Sequence, residues 1–167
     1  MASVLEDNFE IQNEDTQKGR FLTFTLGGED YGIEIKYVTE IIGIQPITQV
    51  PELPDYLKGI INLRGKIIPV MDVRLRFRKE PLKYTDRTCI IVIDINDTSI
   101  GMIVDTVSEV VSIDDENIML PPDAKTGFNN KYVKGIGKMG SEVKLLLDCG
   151  KIFSTDEEEM LSSLAQA

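Results

Sequence analysis

The chain has 167 residues, 42% of them hydrophobic, enough for one packed domain or two small ones and inconsistent with a disordered polymer. Its net charge of −10 comes without the clustered basic face that nucleic acid requires. It has no histidine, so the commonest general base and metal ligand are missing. No apolar run approaches the ~20 residues of a bilayer span, and the acidic N-terminus does not read as a signal peptide, so the expected compartment is the cytoplasm.

The charge is uneven. Glu6, Asp7, Glu10, Glu14 and Asp15 lie in the first 15 residues, and Asp156 with Glu157–Glu159 lies near the other end, with no base in either stretch. The middle of the chain is nearly neutral, between acidic ends that favour solubility. Cys89 and Cys149 each sit in an apolar pattern and are expected as buried thiols rather than a disulfide.

Residues 1–18 read as a flexible acidic leader. Arg20–Leu26 mixes Phe, Leu and Thr as strands do, Gly27–Asp30 is a turn, and Tyr31–Ile35 completes a hairpin. Apolar spacing from Ile35 to Ile42 fits a short helical turn running into another strand. Pro46, Pro51 and Pro54 make Gln45–Asp55 a loop, with a helical turn possible from Pro54. Gly59–Asp72 then holds two β-branched runs around Asn62-Leu63-Arg64-Gly65-Lys66, a hairpin with Arg64 at an exposed apex. In Asp72–Lys79, alternation of Val73, Leu75 and Phe77 with Arg74, Arg76 and Arg78 predicts an extended segment with three arginines on one face.

The second half repeats the first. A shift of 69 residues lays Phe21–Ile44 on Ile90–Ile113 through the shared pattern G-x-x-[IV]-x-x-V-[ST]-E-[IV]-[IV]-x-I, and a shift of 76 lays Tyr56–Asp72 on Tyr132–Asp148. The seven-residue difference falls in the loop Asp114–Lys131. Each copy has about five short strands, which predicts a mainly β protein of two pseudo-symmetric five-stranded barrels packed side by side. The expected division is 19–84 for the first barrel and 85–153 for the second. Thr155-x-x-Glu158 forms a capping box that opens a C-terminal helix over 154–167, expected to cover one barrel.

Duplication also acts as a control. Positions shared by both copies, such as Gly59 with Gly135 and Asp72 with Asp148, are expected to serve the fold. Asn62-Leu63-Arg64-Gly65 aligns with Lys138-Met139-Gly140-Ser141, so the Arg-bearing loop belongs to the first copy alone. Glu40 is the natural counter-charge of Arg64, although Glu109 stands at the equivalent position of the second copy. Val107 and Val110 would face the junction if the barrels pack about a pseudo-twofold axis.

The combination Y-G-I-x-I, V-T-E-I-I, K-G-I-I-N-L-R-G-K-I-I-P-V-M-D-V-R and G-M-I-V-D-T-V-S-E-V resembles the CheW family of bacterial chemotaxis coupling proteins, over nearly the whole chain from Arg20. The resemblance implies a pair of SH3-like barrels forming a non-catalytic adaptor without a cofactor. Its implied partners are the regulatory domain of a chemotaxis histidine autokinase and the cytoplasmic helical tip of membrane chemoreceptors. It further implies a monomer in solution that is arrayed in complex at the membrane without inserting into it, and no nucleic acid partner. The implied protein-binding residues are Glu40 and Arg64, with Asn62 and Gly65 in the same motif. Val38 and Gly59 match further sensitive positions, and Val107 and Val110 match a receptor-facing groove. Two other readings compete: a scaffold bringing another soluble partner to a kinase, and an enzyme using Asp72 with Asp148, or Glu40 with Glu109, as paired acids.

Overall fold

The computed structural model describes residues 18–121 and 131–152. The leader and the expected C-terminal helix, with its capping box at Thr155, lie outside the described residues. Among the described residues, no helix is long and apolar enough to cross a membrane.

The first copy supplies β1 (Arg20–Leu26), β2 (Glu29–Glu34), β3 (Val38–Gly43), β4 (Leu57–Leu63) and β5 (Lys66–Asp72). The second supplies β6 (Cys89–Ile95), β7 (Thr98–Val104), β8 (Thr106–Ser112), β9 (Ile118–Met119), β10 (Val133–Met139) and β11 (Glu142–Leu147). The helical turn read before β3 is present as a 3-10 turn at Ile35–Tyr37. No helix starts at Pro54.

The strands form two sheets, ordered β3-β6-β7-β5-β4 and β8-β1-β2-β11-β10-β9. Under the duplication these are the same sheet twice. In each, the first hairpin of one copy lies between strands of the other: β6-β7 between β3 and β5, β1-β2 between β8 and β11. The expected contiguous division at 84/85 therefore does not describe the two units, because each hairpin crosses into the opposite sheet. The crossings are parallel pairings in equivalent register, Val70 beside Gly101 and Leu146 beside Gly32. The approach is close: a β-carbon on Gly101 would lie 2.8 Å from methyls of Ile90 and Val70.

Exchange explains why β1 and β6 are buried on both faces over most of their length. Ile90 and Val92 fill the small interior of one unit, and Phe21 that of the other. The opposite faces, Leu22, Phe24 and Leu26 with Ile91, Ile93 and Ile95, meet in one large core between the units. Both units are SH3-like β folds, and most of the large buried side chains lie at their junction.

Asp72–Lys79 departs from the extended reading. It forms a helical turn, α1 (Val73–Arg76), because the Asp72 carboxylate accepts from the Leu75 N–H at 3.4 Å and caps it. Asp148 repeats the cap on α2 (Cys149–Ile152), accepting from the Lys151 N–H at 3.2 Å. The three arginines consequently diverge. Arg74 pairs with Asp105 at 2.9 Å, whereas Arg76 lies over the rings of Tyr56 and Tyr132, 4.6 and 5.1 Å from their centroids. These tyrosines are equivalent under the 76-residue shift, as are Arg76 and Ile152, whose carbonyl accepts from Arg76 Nε at 2.9 Å. Arg76 therefore marks the pseudo-twofold axis.

Cys89 and Cys149 are both free thiols; Cys149 is buried and Cys89 only partly so. Burial pushes the Cys149 thiol up to about 12. Burial also raises Tyr31 and Tyr84, reinforced by their hydrogen bonds to Glu29 and Asp72. In all three the folded state holds a proton that the unfolded chain releases first, so stability is intact below about pH 9 and falls as pH rises. Urea melts between pH 9 and 12 should show Cys149→Ala removing up to about 1.4 kcal/mol per pH unit of that slope. Identical slopes in the two proteins would refute the assignment.

Candidate functional site

The apex of the β4–β5 hairpin is a two-residue turn, Arg64-Gly65, with φ of 52° and 85°. Positive φ at both positions matches the twist of the flanking strands and ordinarily selects Asn-Gly or Gly-Gly. Asn62 fixes the turn by accepting from the Gly65 N–H at 2.8 Å through its side-chain oxygen. The equivalent turn of the second copy is Gly140-Ser141, with Gly140 at φ 62°. An arginine thus occupies a left-handed position that its own duplicate gives to glycine, where a side chain costs about 1–2 kcal/mol.

Arg64 is hydrogen-bonded and ion-paired through Nη2 to Glu40 Oε2. Glu40 is on β3 and Arg64 beyond β4, the two edge strands of the five-stranded sheet, so the pair links the two edges. The Arg64 side chain is 71% exposed, so the bond contributes at most about 1 kcal/mol and mainly sets direction. Glu109, the duplicate of Glu40, lies in the copy whose turn carries Gly140, which has no side chain to pair.

Beside the pair lies a concavity of about 340 Å³ lined by Thr39, Leu63, Lys66, Val92, Asp94 and Ser99 as well as Glu40 and Arg64. Lys66 Nζ donates to Ser99 Oγ at 2.7 Å, and Ser99 Oγ donates to Asp94 Oδ1 at 2.6 Å. The surface therefore alternates in charge around an apolar floor. Lys66, Asp94 and Ser99 were not among the expected site residues. Their sequence signal is slight, since polar residues flanking hairpin turns are ordinary.

Val107 and Val110 lie elsewhere, on β8, an edge of the six-stranded sheet, and are absent from the lining of that concavity. Both are half-buried against the shared core, as are Tyr37 and Ile41, so they are at the junction as expected. Val38 holds the position equivalent to Val107 but is 4% exposed and part of that core. Its side chain packs into that core rather than onto the surface.

Gly59 is buried at a bulge in β4, with φ 140°. Its neighbour Ile60 exchanges two 2.9 Å backbone hydrogen bonds with Thr48, and a β-carbon on Gly59 would lie 2.0 Å from the Thr48 carbonyl oxygen. Gly59 serves the fold, as sharing with Gly135 suggests. The paired acids are likewise accounted for: Asp72 and Asp148 cap helical turns, and Asp72 Oδ2 also accepts from the Tyr84 hydroxyl at 2.8 Å.

Residues 20–157 match the family model of the CheW-like domain. The chain is 35% identical over 153 residues to the chemotaxis protein CheW of Klebsiella aerogenes, covering 92% of each chain. It is 34% identical over 149 residues to that of Treponema pallidum, covering 87% of this chain and 88% of the relative. Among solved structures, it is similar to the scaffolding protein TtCheW from Thermoanaerobacter tengcongensis, with a TM-score of 0.78 and 36% identity over 86% of this chain and 97% of that one.

Proposed function

The chain belongs to the CheW family, a non-catalytic chemotaxis scaffold, and on that premise we propose that it couples membrane chemoreceptors to a histidine autokinase. The reading has two surfaces for two partners. The Glu40–Arg64 face engages the regulatory domain of the kinase, and the half-buried strip of Val107 and Val110 receives the helical tip of the receptor by its apolar face. The protein acts in the cytoplasm and is recruited to receptor arrays, where modest contacts act together through effective concentration. The observation that supports this most is Arg64, a charged side chain kept at a left-handed turn position and aimed by Glu40, in one copy only.

Arg64→Gly separates function from stability. It removes the guanidinium and relieves the positive φ, so its midpoint in urea should equal or exceed wild type, within about 1 kcal/mol. Pull-downs with two baits, a chemoreceptor cytoplasmic fragment and a kinase regulatory domain, test the assignment. Arg64→Gly should lose the kinase domain and keep the receptor, and Val110→Asp should do the reverse. Retention of both baits by Arg64→Gly, or loss of the receptor alone, would overturn it.

A further inference from the structure

A second concavity, of about 330 Å³, opens at the junction and is lined from both copies. Four cations, Arg76, Arg78, Lys79 and Lys131, line it against one carboxylate, Glu29. Glu29 Oε2 already accepts from the Tyr31 hydroxyl at 2.8 Å and from Lys79 Nζ at 3.4 Å. The floor is aromatic: Phe77 stacks on Tyr132 with centroids 5.2 Å apart and meets Tyr31 at a tilt with centroids 5.6 Å apart. In a chain of net charge −10, this concentration of positive charge around low-dielectric rings favours a multiply charged anion.

The sequence carries such an anion a few residues beyond the rim. Arg76, one of the lining cations, holds the Ile152 carbonyl at 2.9 Å, and only Phe153, Ser154 and Thr155 separate Ile152 from the run Asp156-Glu157-Glu158-Glu159. Four residues span at most about 14 Å, so the chain length keeps the run within reach of the cavity. We propose that the cavity is an anion-binding site and that its resident ligand is the acidic run Asp156–Glu159 of the same chain. This does not depend on the identity of the chemotaxis partners.

Amide hydrogen exchange on the full chain tests it. The Phe77 and Lys79 N–H groups donate to Val73 and Arg74 carbonyls at 3.0 and 2.8 Å and report directly on the cavity wall. In the D156N/E157Q/E158Q/E159Q variant, their protection should fall about tenfold at low salt. Salt of about 0.5 M should bring wild type to the same level. The R78Q/K131Q variant, checked for folding by its thermal melt, should reproduce the loss from the cavity side. Unchanged protection in either variant overturns the proposal. So does an added Asp-Glu-Glu-Glu peptide that perturbs these amides equally in wild type and in the quadruple variant, since the cavity would then be open to outside ligands.

Discussion

Substitution of Gly59 by alanine should destabilise the protein by about 3–5 kcal/mol, the upper range for a point change. Two effects act together. At φ 140° an L side chain is strained, and its β-carbon would overlap the Thr48 carbonyl oxygen at 2.0 Å. That oxygen accepts from the Ile60 N–H, so moving it away breaks the bridge that ties the proline-rich loop to β4. Gly28 provides the control: its φ is 85°, but a β-carbon added there would meet nothing within 4 Å. Gly28→Ala should therefore cost only the conformational strain, about 1–2 kcal/mol. Urea denaturation of both variants decides the point, and a Gly59→Ala cost no greater than that of Gly28→Ala would show that the Thr48 contact does not matter. Partner binding lost in Gly59→Ala would then follow from a disturbed β4–β5 hairpin, the support of Arg64.

The second large effect is expected at Arg76, where alanine should cost about 2–3 kcal/mol. The side chain bridges the copies: it lies over Tyr56 from one and Tyr132 from the other and bonds the carbonyl of Ile152, its own duplicate. Removing it uncovers two tyrosine faces and leaves that carbonyl without its guanidinium donor. Arg76→Lys keeps the charge but not the planar group or its Nε–H, so it should recover less than half of the loss. Tyrosine fluorescence can follow the unfolding, since the chain has no tryptophan. A melting temperature for Arg76→Ala within about 1 °C of wild type would remove the junction role.

Much of the site is legible in the sequence. A β-branched hairpin with glycine at its turn requires only local rules, and the comparison of Arg64 with Gly140 isolates the residue that the fold does not need. Glu40 can be named as its partner on charge alone, and the ion pair is present. Asp72–Lys79 reads wrongly as extended because alternating Val, Leu, Phe and Arg imitates the two-residue period of a strand, whereas the carboxylate cap of Asp72 decides for a helical turn. Val38 and Val107 occupy one position of the repeat, yet only the first is fully buried, a difference no pattern of residue types contains.

Sequence alone determined most of the strands and hairpin turns, the duplication and the asymmetry that marks Arg64, because turns, periodicity and repeats are written in neighbouring residues. Only the tertiary structure decided which copy completes which sheet. The two copies offer nearly interchangeable partners: β5 could meet β2 or β7, and Gly32 or Gly101 could admit either Val70 or Leu146. The choice rests on packing the second faces of β1 and β6, and those faces find cover only when each hairpin crosses to the other unit and the two surfaces close on a common core.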